Sequence, residues 1–363
     1  MRLLWMDILK ILAIFGVILL HVSAPFVVPF EKSREWWIGN IYDSSTRWCV
    51  PLFVMASGAL LLRKAEQIQL RKWLWSRVGR ILVPFLSWSI IYFFYRIHFK
   101  GENALGVADF FPMLLSEPIY YHLWFVYMLI VLYLFAPGIS VLVNKAAPAH
   151  VWYLVGLWFF WASVLPIINK PLNFETYFTS GMDDYSALHL SGYFLLGHML
   201  KDRYARTGMH LFLVAALFFA ALALTIIGTY LLSESRGEFR PFFYRYDSVS
   251  VVVMTVSLFL LVKSLFHTRD TPGESGIERV EMRSPRLLHR IGMSVFGIYL
   301  VHALMLESLS YGYFGFIIDH TSFLGKDIAP EGGLPLFAVS IFVFSLLSIF
   351  VIRYIPIIRD IFT

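Results

Sequence analysis

The sequence predicts an all-α integral membrane protein, a polytopic bundle of about ten transmembrane helices. Three observations lead to this fold class. Of the 363 residues, 58% are hydrophobic and 15% are charged, with a mean hydropathy of +0.69, whereas soluble domains use about a quarter charged residues. The chain contains 34 Phe, 19 Tyr and 11 Trp, and aromatic rings collect at membrane interfaces. Apolar runs recur along the whole chain, so we expect one membrane domain over residues 1–363.

The individual spans follow from the thickness of the bilayer. A hydrocarbon core about 30 Å thick requires about 20 mostly apolar residues per helix. The short second and sixth runs contain Gly58, Gly192 and Gly197, which is typical either of tight helix packing or of a broken helix that lines a cavity. The predicted spans are 8–28, 51–62 with its flanks, 81–95, 123–143, 151–168, 188–200, 211–232, 249–265, 287–308 and 336–355.

The distribution of positive charge predicts the orientation. Alternate loops place twenty Lys and Arg residues on one side and ten on the other, and the richer side is expected to be cytoplasmic. Both termini then lie inside. The lysines and arginines behind the net charge of +6 concentrate on one side of the membrane. This distribution indicates an interaction with anionic lipid and not with nucleic acid. The first apolar run is longer than the core of a signal peptide, so we expect a retained helix.

Two further features limit the chemistry. Cys49 is the single cysteine, which excludes an internal disulfide, and the chain has no Cys or His spacing of a zinc site. We therefore predict no metal. The longest polar inner segment, 267–285, contains Pro272, Gly273 and Gly276 and predicts a flexible loop.

The first helix carries ionisable residues that are costly inside a bilayer. Asp7, Lys10 and His21 occur there. Lys10 and His21 are eleven residues apart, almost a whole number of turns, which places them roughly 16 Å apart along one face. Lys10 is equally well explained by a side chain that reaches the lipid headgroups. For His21, inside a long aliphatic run, a functional role is favoured over a buried hydrogen bond.

Arginines open the third span. Arg77 and Arg80 lie at i and i+3 on one helix face, and their forked donors match phosphate oxygens. Arg80 lies deepest. The upstream cations Lys64, Arg71 and Lys72 are better explained as anchors on the positive side of the membrane.

Polar residues also mark the fourth and ninth spans. His122 and Trp124 open the fourth helix at the predicted outer face. The ninth helix contains Tyr299 and His302, with Glu307 five residues further on. His302 is again an imidazole within an apolar run, and so a functional candidate.

These residues together resemble the acyltransferase 3 family of integral membrane acyltransferases. The resemblance covers nearly the whole chain. Lys10 stands where the family usually has arginine, which keeps the charge and loses the forked geometry. The short chain, without an appended hydrolase-like domain, looks like the enterobacterial common antigen O-acetyltransferase type. The matching segments, in chain order, are Asp7 with Lys10 and His21, then 51–58, 77–84, 122–125, Gly197 and 294–302.

The resemblance implies transfer of an acyl group, most often acetyl from acetyl-CoA, to a hydroxyl of a cell-envelope polysaccharide or its lipid-linked precursor. It implies a multi-pass protein of the bacterial inner membrane that contacts acyl-CoA, the glycan acceptor and lipid. The implied site comprises His21 and His302 as catalytic residues, Lys10, Arg77 and Arg80 for the CoA phosphates, and His122, Trp124, Tyr299 and Glu307 for the acceptor.

The sequence leaves open both the catalytic mechanism and whether the protein is an enzyme or a transporter. His21 could act as a general base on the acceptor hydroxyl, or an acyl-histidine or acyl-serine could form, with Ser57 as the serine candidate. A secondary transporter or glycan flippase also uses charged residues in short, glycine-interrupted helices. The sequence shows no inverted repeat, which disfavours this alternative.

Overall fold

The computed structural model describes residues 3–62, 69–172, 187–202, 208–273, 276–323 and 325–362. Lys64 lies outside these residues. The described chain is a helical bundle with two short antiparallel strand pairs. The helices are α1 (Leu4–Ser23), α2 (Arg34–Ser44), α3 (Cys49–Leu61), α4 (Leu70–Arg77), α5 (Gly79–Phe99), α6 (Phe110–Ser116), α7 (Trp124–Lys145), α8 (Pro148–Phe159), α9 (Leu165–Leu172), α10 (Ala187–Leu200), α11 (Gly208–Arg236), α12 (Val249–Phe266), α13 (Arg286–Ser310), α14 (Pro330–Tyr354) and α15 (Pro356–Phe362).

Helix α1 is the centre of the bundle. It packs against α3, α12, α13 and α14, and its buried side chains lie all round the helix, as expected for a helix surrounded by others. Burial separates central from peripheral helices. Within the most apolar window of each helix, 72% of α13 is buried against 11% of α11. Helix α13 is therefore interior, and α11 exposes most of its apolar surface, which suits contact with lipid.

Eight helices of the described chain are long and apolar enough to cross a membrane. They cover eight of the predicted spans, and the chain is an all-α polytopic membrane protein. The predicted second and sixth spans are the shorter helices α3 and α10, of 13 and 14 residues. The count of ten and the cytoplasmic position of the termini stay predictions.

Glycines explain how α3 and α10 pack. A Cβ placed on Gly58 would lie 1.9 Å from the Phe194 carbonyl oxygen, and one on Gly197 would lie 1.9 Å from the Met55 carbonyl oxygen. Each glycine thus lets the backbone of the partner helix approach directly. Of the two alternatives that the glycines left open, the structure shows close helix packing.

The segment predicted as a flexible loop is a hairpin. Strands β1 (Thr268–Gly273) and β2 (Gly276–Glu281) pair antiparallel, with Gly273 opposite Gly276. The expectation took the Pro272-Gly273 pair as a mark of a flexible loop, whereas these residues end a strand just before a short hairpin connection. Strands β3 (Ser322–Phe323) and β4 (Lys326–Asp327) form the second pair.

Candidate active site

A cavity of about 340 Å³ is lined by residues of α1, α3, α4, α5, α7, α13 and α14. Lys10, Arg77 and Arg80, the three predicted phosphate-binding residues, line it together. They come from α1 and from the junction between α4 and α5. Such a concentration of donors and positive charge suits a phosphorylated ligand.

A fourth cation, Arg353 of α14, lines the same cavity. Two hydrogen bonds to α13 hold its guanidinium: Nη1 donates to Ser294 Oγ at 2.9 Å and Nη2 donates to the Met293 carbonyl at 2.7 Å. Sequence reasoning missed this residue, because an arginine at the end of the last span is equally well explained as a membrane anchor. Its place on the same predicted side as Lys10 was the only signal.

An ion-pair network fixes Lys10. Its Nζ lies 3.1 Å from Asp7 Oδ1, and Asp7 Oδ2 lies 2.8 Å from His289 Nδ1. Asp7 is buried, and Lys10 also donates to the Gly292 carbonyl at 3.4 Å. Lys10 therefore does not simply extend to the lipid headgroups. Its ammonium is held at the wall of the cavity.

Three histidines from three helical segments meet beyond the cavity. The His21 ring stacks on His302, with centroids 5.4 Å apart and planes 23° apart. The His122 ring meets His302 edge to face at 5.0 Å. His302 and His122 are buried, with 0% and 1% exposure, whereas His21 is partly exposed. His21 is thus the most exposed of the three histidines.

The hydrogen bonding of His302 defines its tautomer. Nδ1 lies 2.6 Å from the Tyr299 carbonyl oxygen, and a carbonyl oxygen can only accept, so Nδ1 carries the proton. In the neutral ring Nε2 then carries the lone pair. This atom is buried and has no hydrogen-bond partner among the described residues. The ring therefore offers a free acceptor within the cluster.

Tyr299 joins the cavity to the histidines. Its side chain lines the cavity, its hydroxyl donates to the His122 carbonyl, and its own carbonyl holds His302. The ring also packs on Phe125, at 5.3 Å between centroids. Tyr299 thus connects the wall of the cavity that carries the four cations with the histidine cluster.

Glu307 lies in a separate polar cluster. Its carboxylate accepts from the Tyr95 hydroxyl at 2.6 Å and from the Tyr120 hydroxyl, and it pairs with Lys100 Nζ at 2.8 Å. Tyr120 packs on Tyr121, whose ring meets His21 at 5.0 Å. Glu307 is therefore connected to the histidines through tyrosine rings. Sequence reasoning did not identify these tyrosines, because the chain contains so many aromatic residues.

Trp124 lies elsewhere. Its ring stacks on Tyr246 at 5.8 Å, and it lines a second cavity, of about 430 Å³, together with Glu117 and Tyr127. The residues predicted to bind the acceptor thus occupy three places in the fold. His122 and Tyr299 lie at the histidine cluster, Glu307 lies in its own polar cluster, and Trp124 lies at the second cavity. Within the described part of the chain, no three His, Cys, Asp or Glu side chains are arranged to hold a metal ion.

A comparison with known protein families adds independent information. A family model described as an acyltransferase domain, of the acyltransferase 3 type, matches residues 3–354. The match includes the residues that line the cavity with the four cations, here called the basic cavity. It also includes the three residues of the histidine cluster, His21, His122 and His302. No curated protein and no solved structure matches the chain. The family match favours acyl transfer over the transporter or flippase alternative.

Proposed function

The chain belongs to this acyltransferase family and is an integral membrane acyltransferase, and we propose that it moves an acetyl group from acetyl-CoA to a hydroxyl of a cell-envelope glycan. The acceptor is a polysaccharide or its lipid-linked precursor at the bacterial inner membrane. One observation carries the proposal: a single cavity is lined by four cations and by Tyr299, whose carbonyl bonds to His302 of the histidine cluster.

The donor is assigned to the basic cavity. The nucleotide end of CoA carries phosphates, for which Lys10, Arg77, Arg80 and Arg353 supply charge and hydrogen-bond donors. Arginine binds phosphate through two parallel bonds. From Lys10 to His21 the rise of α1 amounts to roughly 16 Å, a distance that suits the long arm carrying the thioester. The acyl group would then reach His21.

His21 is the proposed general base. A neutral imidazole accepts the proton of the acceptor hydroxyl while its oxygen attacks the thioester carbonyl. The carbon–sulfur bond breaks, and the CoA thiolate leaves and takes the proton from the His21 imidazolium, which restores the neutral base. His302 supports this step from the stacked position, with Nδ1 fixed by Tyr299 and Nε2 free to accept. Direct transfer needs no acyl-enzyme.

The acyl-serine alternative receives less support. Ser57 lines the basic cavity, and its hydroxyl lies 3.4 Å from the Tyr133 hydroxyl. No hydrogen bond joins it to an imidazole among the described residues, so no histidine activates it as a nucleophile. We propose direct transfer, in which His21 acts as the base and does not itself take up the acyl group.

The acceptor is assigned to the other side of the histidines. Glu307 and the surrounding tyrosines offer a carboxylate and aromatic faces, which suit sugar hydroxyls and sugar rings. His122 lies between this cluster and His302. Trp124 and Glu117 line the second cavity, which we propose as a more distant subsite for the same glycan.

The test is an acetyl-transfer assay on purified protein in detergent. Acetyl-CoA labelled in the acetyl group is incubated with candidate acceptors, including enterobacterial common antigen precursors, and the saccharide is isolated. We expect label in the sugar with the parent protein and none with the His21→Ala variant. Saccharide movement in proteoliposomes without any acetyl transfer would contradict the proposal and support the transporter.

A further inference from the structure

Tyr92 of α5 bonds through its hydroxyl to the backbone of α13. The hydroxyl donates to the Leu300 carbonyl at 2.8 Å and accepts from the Leu304 amide at 3.2 Å. In an α-helix the amide of residue i pairs with the carbonyl of residue i−4, so these two groups mark one turn of the helix. The Tyr92 hydroxyl therefore ties both ends of this turn to α5, while α13 continues as a helix through it.

This turn of α13 carries His302. Residues 300 and 304 lie on either side of it, and the His302 ring is itself bonded to the Tyr299 carbonyl at 2.6 Å. Both the backbone of the turn and the orientation of the imidazole are thus set by side-chain bonds. A change in the geometry of the turn moves His302 relative to His21, which belongs to a different helix.

Tyr92 does not belong to the cavity described above. It is fully buried, and its ring stacks on Tyr120 at 4.5 Å and meets His122 at 5.0 Å. The ring fills space between the Glu307 cluster and the histidines. The hydroxyl has a separate role, because it reaches past these rings to the backbone of α13.

We propose that Tyr92 is a positioning residue for acyl transfer. Its hydroxyl anchors the turn between Leu300 and Leu304 to α5, and this keeps the His302 imidazole stacked on His21. The role rests on the proposed function, in which His302 supports the base. Replacing Tyr92 by phenylalanine keeps the ring and removes one oxygen together with both of its bonds to α13.

The test compares Tyr92→Phe with Tyr42→Phe. Tyr42 of α2 is a matched control, since its hydroxyl also donates to a carbonyl, that of Glu331 at 2.6 Å. Both proteins are labelled with ¹³C in the histidine rings, and the His302 NMR signal is assigned by its loss in His302→Ala. We expect Tyr92→Phe to move the His302 signal and Tyr42→Phe to leave it in place.

Kinetics provide the second readout. Displacement of a catalytic group lowers the rate by about tenfold to a hundredfold, so Tyr92→Phe should lower kcat by this factor and leave the KM for acetyl-CoA within about twofold of the parent. An equal loss in Tyr42→Phe, or a KM effect without a kcat effect, overturns the proposal.

The NMR signal separates this inference from the proposed function, because it reports the position of His302 whether or not acetyl is transferred. A parent protein that transfers no acetyl overturns the proposed function. A His302 signal that Tyr92→Phe leaves in place overturns the positioning role. Should Tyr92→Phe fail to fold, 3-fluorotyrosine at position 92 keeps the hydroxyl and alters its bonds; an unmoved His302 signal there overturns the role as well.

Discussion

The imidazole of His21, near the end of α1, is stacked on the imidazole of His302, in the middle of α13, with ring centroids 5.4 Å apart. The two residues are separated by 281 positions in the chain. Their contact therefore exists only when α1 and α13 pack, and the site is a product of the assembled bundle. Substitutions at the two positions separate the role of each ring.

We expect His21→Ala to abolish acyl transfer in a protein that still binds CoA. Alanine is apolar and favours helix, so α1 should insert into the membrane at least as well without the imidazole. A general base contributes about a hundredfold to ten-thousandfold, and the residual rate should fall at least about a hundredfold. The measurement is acetyl transfer at equal protein concentration, together with CoA binding.

His98→Ala is the matched control, because His98 lies exposed at the end of α5 and should leave the rate unchanged. A fall of only a few fold in His21→Ala would make His21 a packing residue. If His21→Ala stayed active and His302→Ala did not, the base would belong to α13 instead of α1.

Removing cations from the basic cavity should weaken donor binding. Arg80→Ala, Lys10→Ala and Arg353→Ala each delete a group that we assign to the CoA phosphates. A hydrogen bond to a charged group contributes about 1.5–3 kcal/mol, so the Kd for acetyl-CoA should rise about tenfold or more. Binding of the glycan acceptor should change less. Calorimetry on the purified variants measures both affinities.

A control variant and the effect of salt test the phosphate assignment further. Arg236→Ala removes an exposed arginine at the end of α11 and should leave CoA affinity unchanged. In the parent protein, CoA affinity should fall as salt is added, because ions screen charge pairs. The phosphate assignment is wrong if CoA binds the three cavity variants as tightly as the parent and ignores ionic strength.

Gly292→Ala should disturb Lys10 through Asp7. A Cβ at position 292 would lie 2.7 Å from Asp7 Oδ1, closer than nonbonded atoms approach, so the carboxylate must move. That carboxylate holds Lys10 at the wall of the cavity. We expect the Kd for acetyl-CoA to rise about tenfold, equivalent to about 1.4 kcal/mol.

Gly138→Ala is the control for a glycine in a helix. A Cβ at Gly138 of α7 would meet no atom within 4 Å, and alanine there should stabilise the helix by about 1 kcal/mol without any effect on CoA binding. Equal CoA affinity in the Gly292 and Gly138 variants would show that the position of Asp7 does not matter to the donor site.

The sequence made some of this site predictable. Hydropathy locates the long helices, and the spacing of Lys10 and His21 places both on one face of a single helix, because helical periodicity is a local property. Arg77 and Arg80 are recognised in the same way. The structure brings these cations into one cavity, and the prediction that they act together is consistent with this geometry, although their role stays a prediction.

Long-range contacts were not predictable in this way. Nothing local to Arg353 distinguishes a cavity residue from an anchor, since both explanations require a cation at a helix end. The contribution of Tyr92 depends on how α5 packs against α13, and the sequence offers 19 tyrosines without a pattern that selects one. Aromatic residues are expected throughout a membrane protein. The sequence therefore does not distinguish the few tyrosines that bond to polar groups of the site from the many that do not.

Lys100 forms an ion pair with Glu307, with 2.8 Å between Nζ and Oε2. Lys100 lies just beyond α5, outside the candidate membrane spans. Partial burial by itself lowers the pKa of Lys100, but the hydrogen bond and the charge of the Glu307 carboxylate outweigh burial and hold that pKa above its ordinary value. We expect Lys100→Met to lower the free energy of unfolding by about 1 kcal/mol at neutral pH. The exposed Lys326 provides the control, Lys326→Met.

The pH dependence of this difference has a definite sign. The pKa of Lys100 is higher in the folded protein than in the unfolded chain, so its contribution to stability is complete below the unfolded value, about 10.5, and is lost as the pH rises through the folded value. Thermal unfolding of parent and Lys100→Met should therefore show the same difference at pH 6 and pH 8, and a smaller one above about pH 10.5. A difference that disappears between pH 6 and pH 8 would mean that another group, and not Lys100, titrates in the pair.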